Sequence, residues 1–210
     1  MMTMLKNSDT AGQGGRMASG GKMTAVCNWK LQDHSEEDHT GKVISGLNGA
    51  HGIFRRTIFD DGNLTDASFM FATLWQTSFR GATLTTANIG HADGYLVVFD
   101  GARLTDANLS GFHGREASFR GAVLRGATLQ GAQCLRADFR DADLREACLV
   151  LGQFREADFR GADLRGADLT LASLHGARFD EHTNLEGARL HLVQRDNLPQ
   201  GIQHLHIVGE

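Results

Sequence analysis

Large apolar residues return at every fifth position from Phe54 to Phe179. The series runs Phe54, Phe59, Leu64, Phe69, Leu74, Phe79, Leu84, Ile89 and onward to Leu174 and Phe179, and among its 26 members only Gly94, Gly114 and Cys134 are not large and apolar. Alanine often stands two residues earlier, as at Ala67, Ala82, Ala117, Ala137 and Ala162. A period of five fits neither the 3.6 of a helix nor the 2 of a long strand. It fits a short extended piece followed by a corner. In an extended piece, residues two apart point the same way, so the alanine and the large residue face inward together. The residue between them faces out, and the two after the large residue turn the corner.

A longer period lies inside the first. Phe59, Phe79, Phe99, Phe119, Phe139, Phe159 and Phe179 recur at intervals of twenty, as do Leu64, Leu84, Leu104, Leu124, Leu144 and Leu164. Like stacked on like predicts four pentapeptides to a coil, square in section, with coils about 4.8 Å apart as hydrogen-bonded strands are. Such an internal repeat sets the architecture before any local propensity does. The irregular members fall together. Gly94 and Gly114 hold the large position in consecutive coils, and Phe112 takes the small position beside Gly114, so large and small have exchanged. The run Tyr95-Leu96-Val97-Val98 predicts a local bulge or a reshaped corner.

Segments such as Ala137-Asp138-Phe139-Arg140-Asp141 and Ala162-Asp163-Leu164-Arg165-Gly166 resemble the Ala-(Asp/Asn)-Leu-X-X pattern of the pentapeptide-repeat family. The resemblance implies an all-β fold, a right-handed quadrilateral β-helix closed by an N-terminal cap and a short C-terminal capping segment. The expected organisation is a flexible tail over 1–22, an N-terminal capping segment over 23–50, the β-helix over 51–190, and a C-terminal cap or tail over 191–210. After Phe179 the spacing carries one extra residue before Leu185 and Leu190, and 191–195 is read as a short terminal helix. In some members of the family a C-terminal segment makes a homodimer, and the resemblance extends that expectation to this chain.

Charge narrows the partners. The chain has a formal net charge of −4, and residues 51–190 hold 15 Arg against 18 Asp or Glu with no Lys. Nonspecific phosphate binding needs clustered positive charge, so direct nucleic-acid binding is not expected. No apolar run approaches the roughly 18 residues of a membrane span, so no membrane partner is expected either. Three cysteines, Cys27, Cys134 and Cys148, form no even disulfide framework, which suits a cytoplasmic setting. Gly12-Gln13-Gly14-Gly15 lacks the strand before it and the Lys-Ser/Thr after it that a phosphate loop requires.

Catalytic chemistry has little to stand on. Asp138, Asp143, Asp158, Asp163 and Asp168 each precede an inward residue, a repeated setting in which hydrogen bonds to turn amides are the expected role. Cys27, His34 and His39, like His191, His204 and His206, lack compact zinc-site spacing. No catalytic residue, cofactor or metal is expected, and the surface becomes the place to look. Arg120, Arg140 and Arg160 form one column and Arg125, Arg145 and Arg165 another, interleaved with acids and expected to be self-compensated, with a binding stripe for an acidic partner as the rival reading that makes them the secondary candidates. On the opposite edge, Met70, Phe71, Trp75, Tyr95, Leu96, Leu135, Leu151 and Leu171 point outward. These are the candidate partner-binding residues, unless 23–50 folds back over them. The reading is a rigid, non-catalytic rod that binds or occludes a protein, as an immunity or adaptor protein does. The alternative, implied by the resemblance alone, is a DNA-mimicking rod that binds DNA gyrase and protects it from quinolones.

Overall fold

The computed structural model describes residues 27–193. The tail expected at 1–22 and the chain beyond 193 lie outside them. Each pentapeptide contributes three extended residues and a two-residue corner, and the outward residue of each extended piece pairs in parallel with the residue one coil on. The ladder runs without a break from Asn28↔Asn48 to Asp168↔Arg189. Phe79 N, for example, donates to Val98 O at 2.7 Å, while Ser78 N donates back to Thr57 O at 3.0 Å. The result is a four-sided β-helix of just over eight coils, about 40 Å long at the strand spacing.

The corners repeat one geometry, save the one after Phe179. The centre carbonyl accepts a bond from the amide three residues on, as Phe69 O does from Ala72 N at 2.9 Å. The third residue of the turn lies at positive φ, as Phe71 does at 58°, which is the signature of a type II turn. Numbering the sides by their inward centres, side one carries the Phe59–Phe179 column, side two the Leu64–Leu164 column, side three Phe69 to Leu169, and side four Phe54 to Leu174.

The core is a narrow shaft of these centres and the alanines beside them, nearly all free of solvent contact. On side one the rings stack face to face at 4.8–5.4 Å from Phe59 to Phe179. Burying each is worth about 1.5–3 kcal/mol. Cys134 fills its centre as a fully buried apolar residue, and burial pushes its thiol up to about 12.

Three sequence expectations change. Pairing starts at Asn28, so the stretch expected to cap the rod from 23 to 50 is, over its described part, a coil in register with the others. It stacks on the end and does not fold back over the apolar edge. No bulge forms at 95–98: Asp93↔His113 and Val98↔Ser118 keep the register. The backbone can stay regular because the Phe112 ring fills the shaft where Gly94 and Gly114 leave room, 2.3 and 2.4 Å from where their Cβ atoms would be. At the far end the coil continues through the extra residue, and pairing resumes one residue later at Asp163↔Asn184. Asp180 and Thr183 hold this enlarged corner: Thr183 Oγ1 donates to Phe159 O at 3.0 Å, and Gly161 N donates to Asp180 Oδ1 at 2.9 Å. Residues 191–193 are a further corner rather than a helix.

Candidate functional site

The corner geometry decides where the eight apolar candidates stand. Met70, Phe71, Leu151 and Leu171 occupy the corner between sides three and four, and Trp75, Tyr95, Leu96 and Leu135 the corner between sides four and one. The two corners flank side four, so the candidates share one edge region of the rod. Trp75 and Tyr95 are successive members of one column, 39% and 38% exposed. With Asp93, His113, Arg115 and Gln133 they line a shallow groove of about 350 Å³ on side four. The Arg55 guanidinium lies over the indole of Trp75, 4.7 Å from its centroid, a contact that fixes the ring.

The other corner is split. Phe71 is stacked between His51 and His91 at 5.1 and 5.2 Å. Leu151 and Leu171 lie four and five coils further along, beyond Gly111 and Gly131. Leu96 and Leu135 are only half-exposed. Phe71, Leu151 and Leu171 are about half-exposed and sit at φ of 58–60°. A side chain there costs roughly 1–2 kcal/mol against glycine, and here it also faces water. Positive φ belongs to the corners generally, and twenty described residues other than glycine adopt it, so what sets these three apart is their exposed apolar surface.

The charged columns sit on the two corners flanking side two, across the rod. Asp138, Asp143, Asp158 and Asp163 each take a bidentate pair from the Arg two residues on and accept its backbone amide. Arg145, for instance, gives Nε to Asp143 Oδ1 at 2.8 Å and Nη2 to Oδ2 at 2.6 Å, and its amide N lies 3.2 Å from Oδ1. The bonds from Arg145 hold the Asp143 carboxyl below its usual range. Burial would raise that of Asp158, which is nearly covered, but bonds from Arg160 and the charges of Arg178 and Arg160 outweigh it. Arg120 and Arg125 lack this partner because Ser118 and Val123 replace the acid; they reach Asp138 at 3.9 Å and Glu146 at 3.2 Å. This face satisfies itself.

The first coil holds a group that hydrophobic spacing does not reveal. Beside the apolar Cys27, Trp29 and Ile44, five of its inward positions are occupied by Gln32, His34, Glu37, His39 and Lys42, where the coils below carry mostly apolar residues. Their side chains form one hydrogen-bonded chain across the end of the rod: Gln32–His34 at 3.2 Å, His34–Glu37 at 3.0 Å, Glu37–His39 at 2.8 Å and His39–Lys42 at 2.8 Å. The His34 ring stacks on Phe54 and the His39 ring on Phe59, so His39 terminates the aromatic column of side one and His34 covers the first ring of side four. Burial, then the charge of Lys42, lowers the His39 pKa. The signal was present in the sequence: the five-residue count continues backward from Phe54 through Gly49, Ile44, His39, His34 and Trp29.

The family described as pentapeptide repeats matches this chain in eight copies over residues 54–85, 63–93, 98–132, 117–151 and 153–191. Among solved structures, one similar chain is HetL, a pentapeptide repeat protein involved in heterocyst differentiation regulation from the cyanobacterium Nostoc sp. strain PCC 7120. It is 25% identical, with 82% of this chain and 91% of that one covered, at a TM-score of 0.41. QnrB1, a plasmid-mediated fluoroquinolone resistance protein, is 20% identical over 71% of this chain and 80% of its own, at 0.42. A pentapeptide repeat protein of the Arabidopsis thaliana thylakoid lumen is 21% identical over 87% and 79%, at 0.17. Comparison with curated proteins gives no match.

Proposed function

The chain belongs to the pentapeptide-repeat family, and we propose that it is a rigid scaffold that binds a protein partner through side four. The observation that carries this reading is the pair Trp75 and Tyr95, held one coil apart on an unbroken ladder and walling the groove with Asp93, His113, Arg115 and Gln133. Aromatic residues on a scaffold lose little freedom on binding, and such residues dominate interface energetics. The exposed apolar Phe71, Leu151 and Leu171 along the other border of side four extend the surface.

Gyrase binding by DNA mimicry calls for a continuous acidic face. On side two, the outward acids Asp143 and Asp163 are each taken by an Arg, so the charge pattern there favours the apolar edge.

The test is capture from a lysate of the source organism on immobilised full-length chain, wild type against Trp75→Ser/Tyr95→Ser, with equal melting temperatures confirmed first. A partner held by the wild type and lost by the double variant is the expected result. Recovery of the same proteins, gyrase subunits included, by both baits would overturn the reading.

A further inference from the structure

The terminal coil departs from the repeat in a chemically specific way. Position 34 lies above Phe54 and Leu74, position 39 above Phe59 and Phe79, and position 37 above Thr57 and Thr77. At all three, an inward site that serves packing or carbonyl capping further down carries a metal-ligating side chain at the end of the rod. Among the described residues, His34, Glu37 and His39 are the one group of His, Cys, Asp or Glu whose ligand atoms all lie within 4.8 Å of one another. His34 Nδ1 and His39 Nε2 both aim at the same oxygen, Glu37 Oε2, at 3.0 and 2.8 Å. The two imidazoles are 13% and 7% exposed and gripped by stacking on Trp29, Phe54 and Phe59, whereas the carboxylate is 44% exposed and free to adjust.

We propose that His34, Glu37 and His39 bind one zinc ion at the N-terminal end of the rod. Two imidazole nitrogens and one carboxylate, with a fourth position open to water, are a familiar zinc donor set. Bond lengths of about 2.0–2.2 Å in a tetrahedron set the donors about 3.3 Å apart, so the two nitrogen–carboxylate spacings open by up to about half an ångström, and the two nitrogens, which lie within 4.8 Å of each other, settle to the same separation. Rotation of Glu37 supplies the first adjustment and a small shift of the imidazoles the second.

The outer contacts favour one ligand and oppose the other. With zinc on Nδ1, His34 carries its proton on Nε2, 3.2 Å from Gln32 Oε1, which accepts it and fixes the ring as outer partners of metal-bound histidines do. With zinc on Nε2, His39 carries its proton on Nδ1, where Lys42 Nζ now donates at 2.8 Å. Two donors cannot share that contact, and a cation beside a divalent ion is unfavourable. Lys42 must swing out, and its exposed side chain can do so. Lys42 therefore weakens the site, and removing its charge strengthens it.

The experiment is a calorimetric titration of the full-length chain with Zn²⁺, alongside thermal unfolding with and without the metal. Wild type is expected to take up one equivalent and melt at a higher temperature with zinc. Glu37→Gln should keep the fold, weaken binding at least tenfold and abolish the thermal shift. Lys42→Gln, which also offers an acceptor to His39 Nδ1, should bind several-fold more tightly than wild type. The tail residues His204 and His206 are intact in every variant, so binding through them would survive Glu37→Gln. Equal binding by wild type and Glu37→Gln, or no stoichiometric uptake by wild type, would overturn the proposal and leave the chain of five as a hydrogen-bonded cap.

Discussion

A Cβ added at Gly94 would sit 2.3 Å from Cζ of Phe112, and one at Gly114 2.4 Å from its Cε1. One ring thus stands in for two missing centres, and neither glycine can grow while it is there. Gly94→Ala should cost about 2 kcal/mol by overpacking, measured by denaturant unfolding. In a Phe112→Ala background the same change should cost nothing or stabilise, a coupling a double-mutant cycle reads directly; additive effects would contradict the packing. The sequence shows the exchange of large for small at Phe112 and Gly114. It does not show that the ring keeps the backbone regular, because that depends on ring direction, and a bulge at 95–98 was the natural expectation. Strain is equally invisible until φ is known. Leu171, half-exposed at φ 60°, should give a chain about 0.5 kcal/mol more stable when changed to Gly. A loss of stability in urea would show that its packing outweighs its strain.

At the level of the coil, the two Arg corners turn a stack of like charges into a ladder of closed pairs. Asp143 and Asp163 accept first from Arg145 and Arg165, and both carboxyls titrate below the ordinary 3.8 as a result. A carboxyl held below its unfolded value stabilises the fold at every pH above that value. The contribution fades as pH falls from about 3.8 through the folded pKa. Unfolding free energy should therefore carry the full contribution of these pairs near neutrality, independent of pH there, and fall below pH 4. Arg145→Gln/Arg165→Gln should flatten that fall, and an unchanged acid profile would show the pairs to be idle. Acid–arginine spacing made this face legible in advance. The first coil was not, because most of its inward positions are polar and a search for apolar periodicity stops at Phe54. Only the count of five, carried on without regard to polarity, reaches Trp29.

On the scale of the whole rod, each coil touches its neighbours and little else, so stability is close to a sum over coils and their contacts. Such a molecule has no interior site to shape, and specificity falls to its long faces and its ends. Side two is closed by its own ion pairs, the N-terminal end by a chain of five polar side chains, and side four stands open between two apolar corners. The central claim is that side four does the binding. It is tested most directly by the affinity of the purified captured partner for wild type, Trp75→Ser and Arg125→Ser, the last removing a charge on the opposite face. A central aromatic anchor is worth at least about 2 kcal/mol, so Trp75→Ser should weaken binding about thirtyfold and Arg125→Ser less than threefold. The reverse order would place the interface on the arginine face and contradict the account.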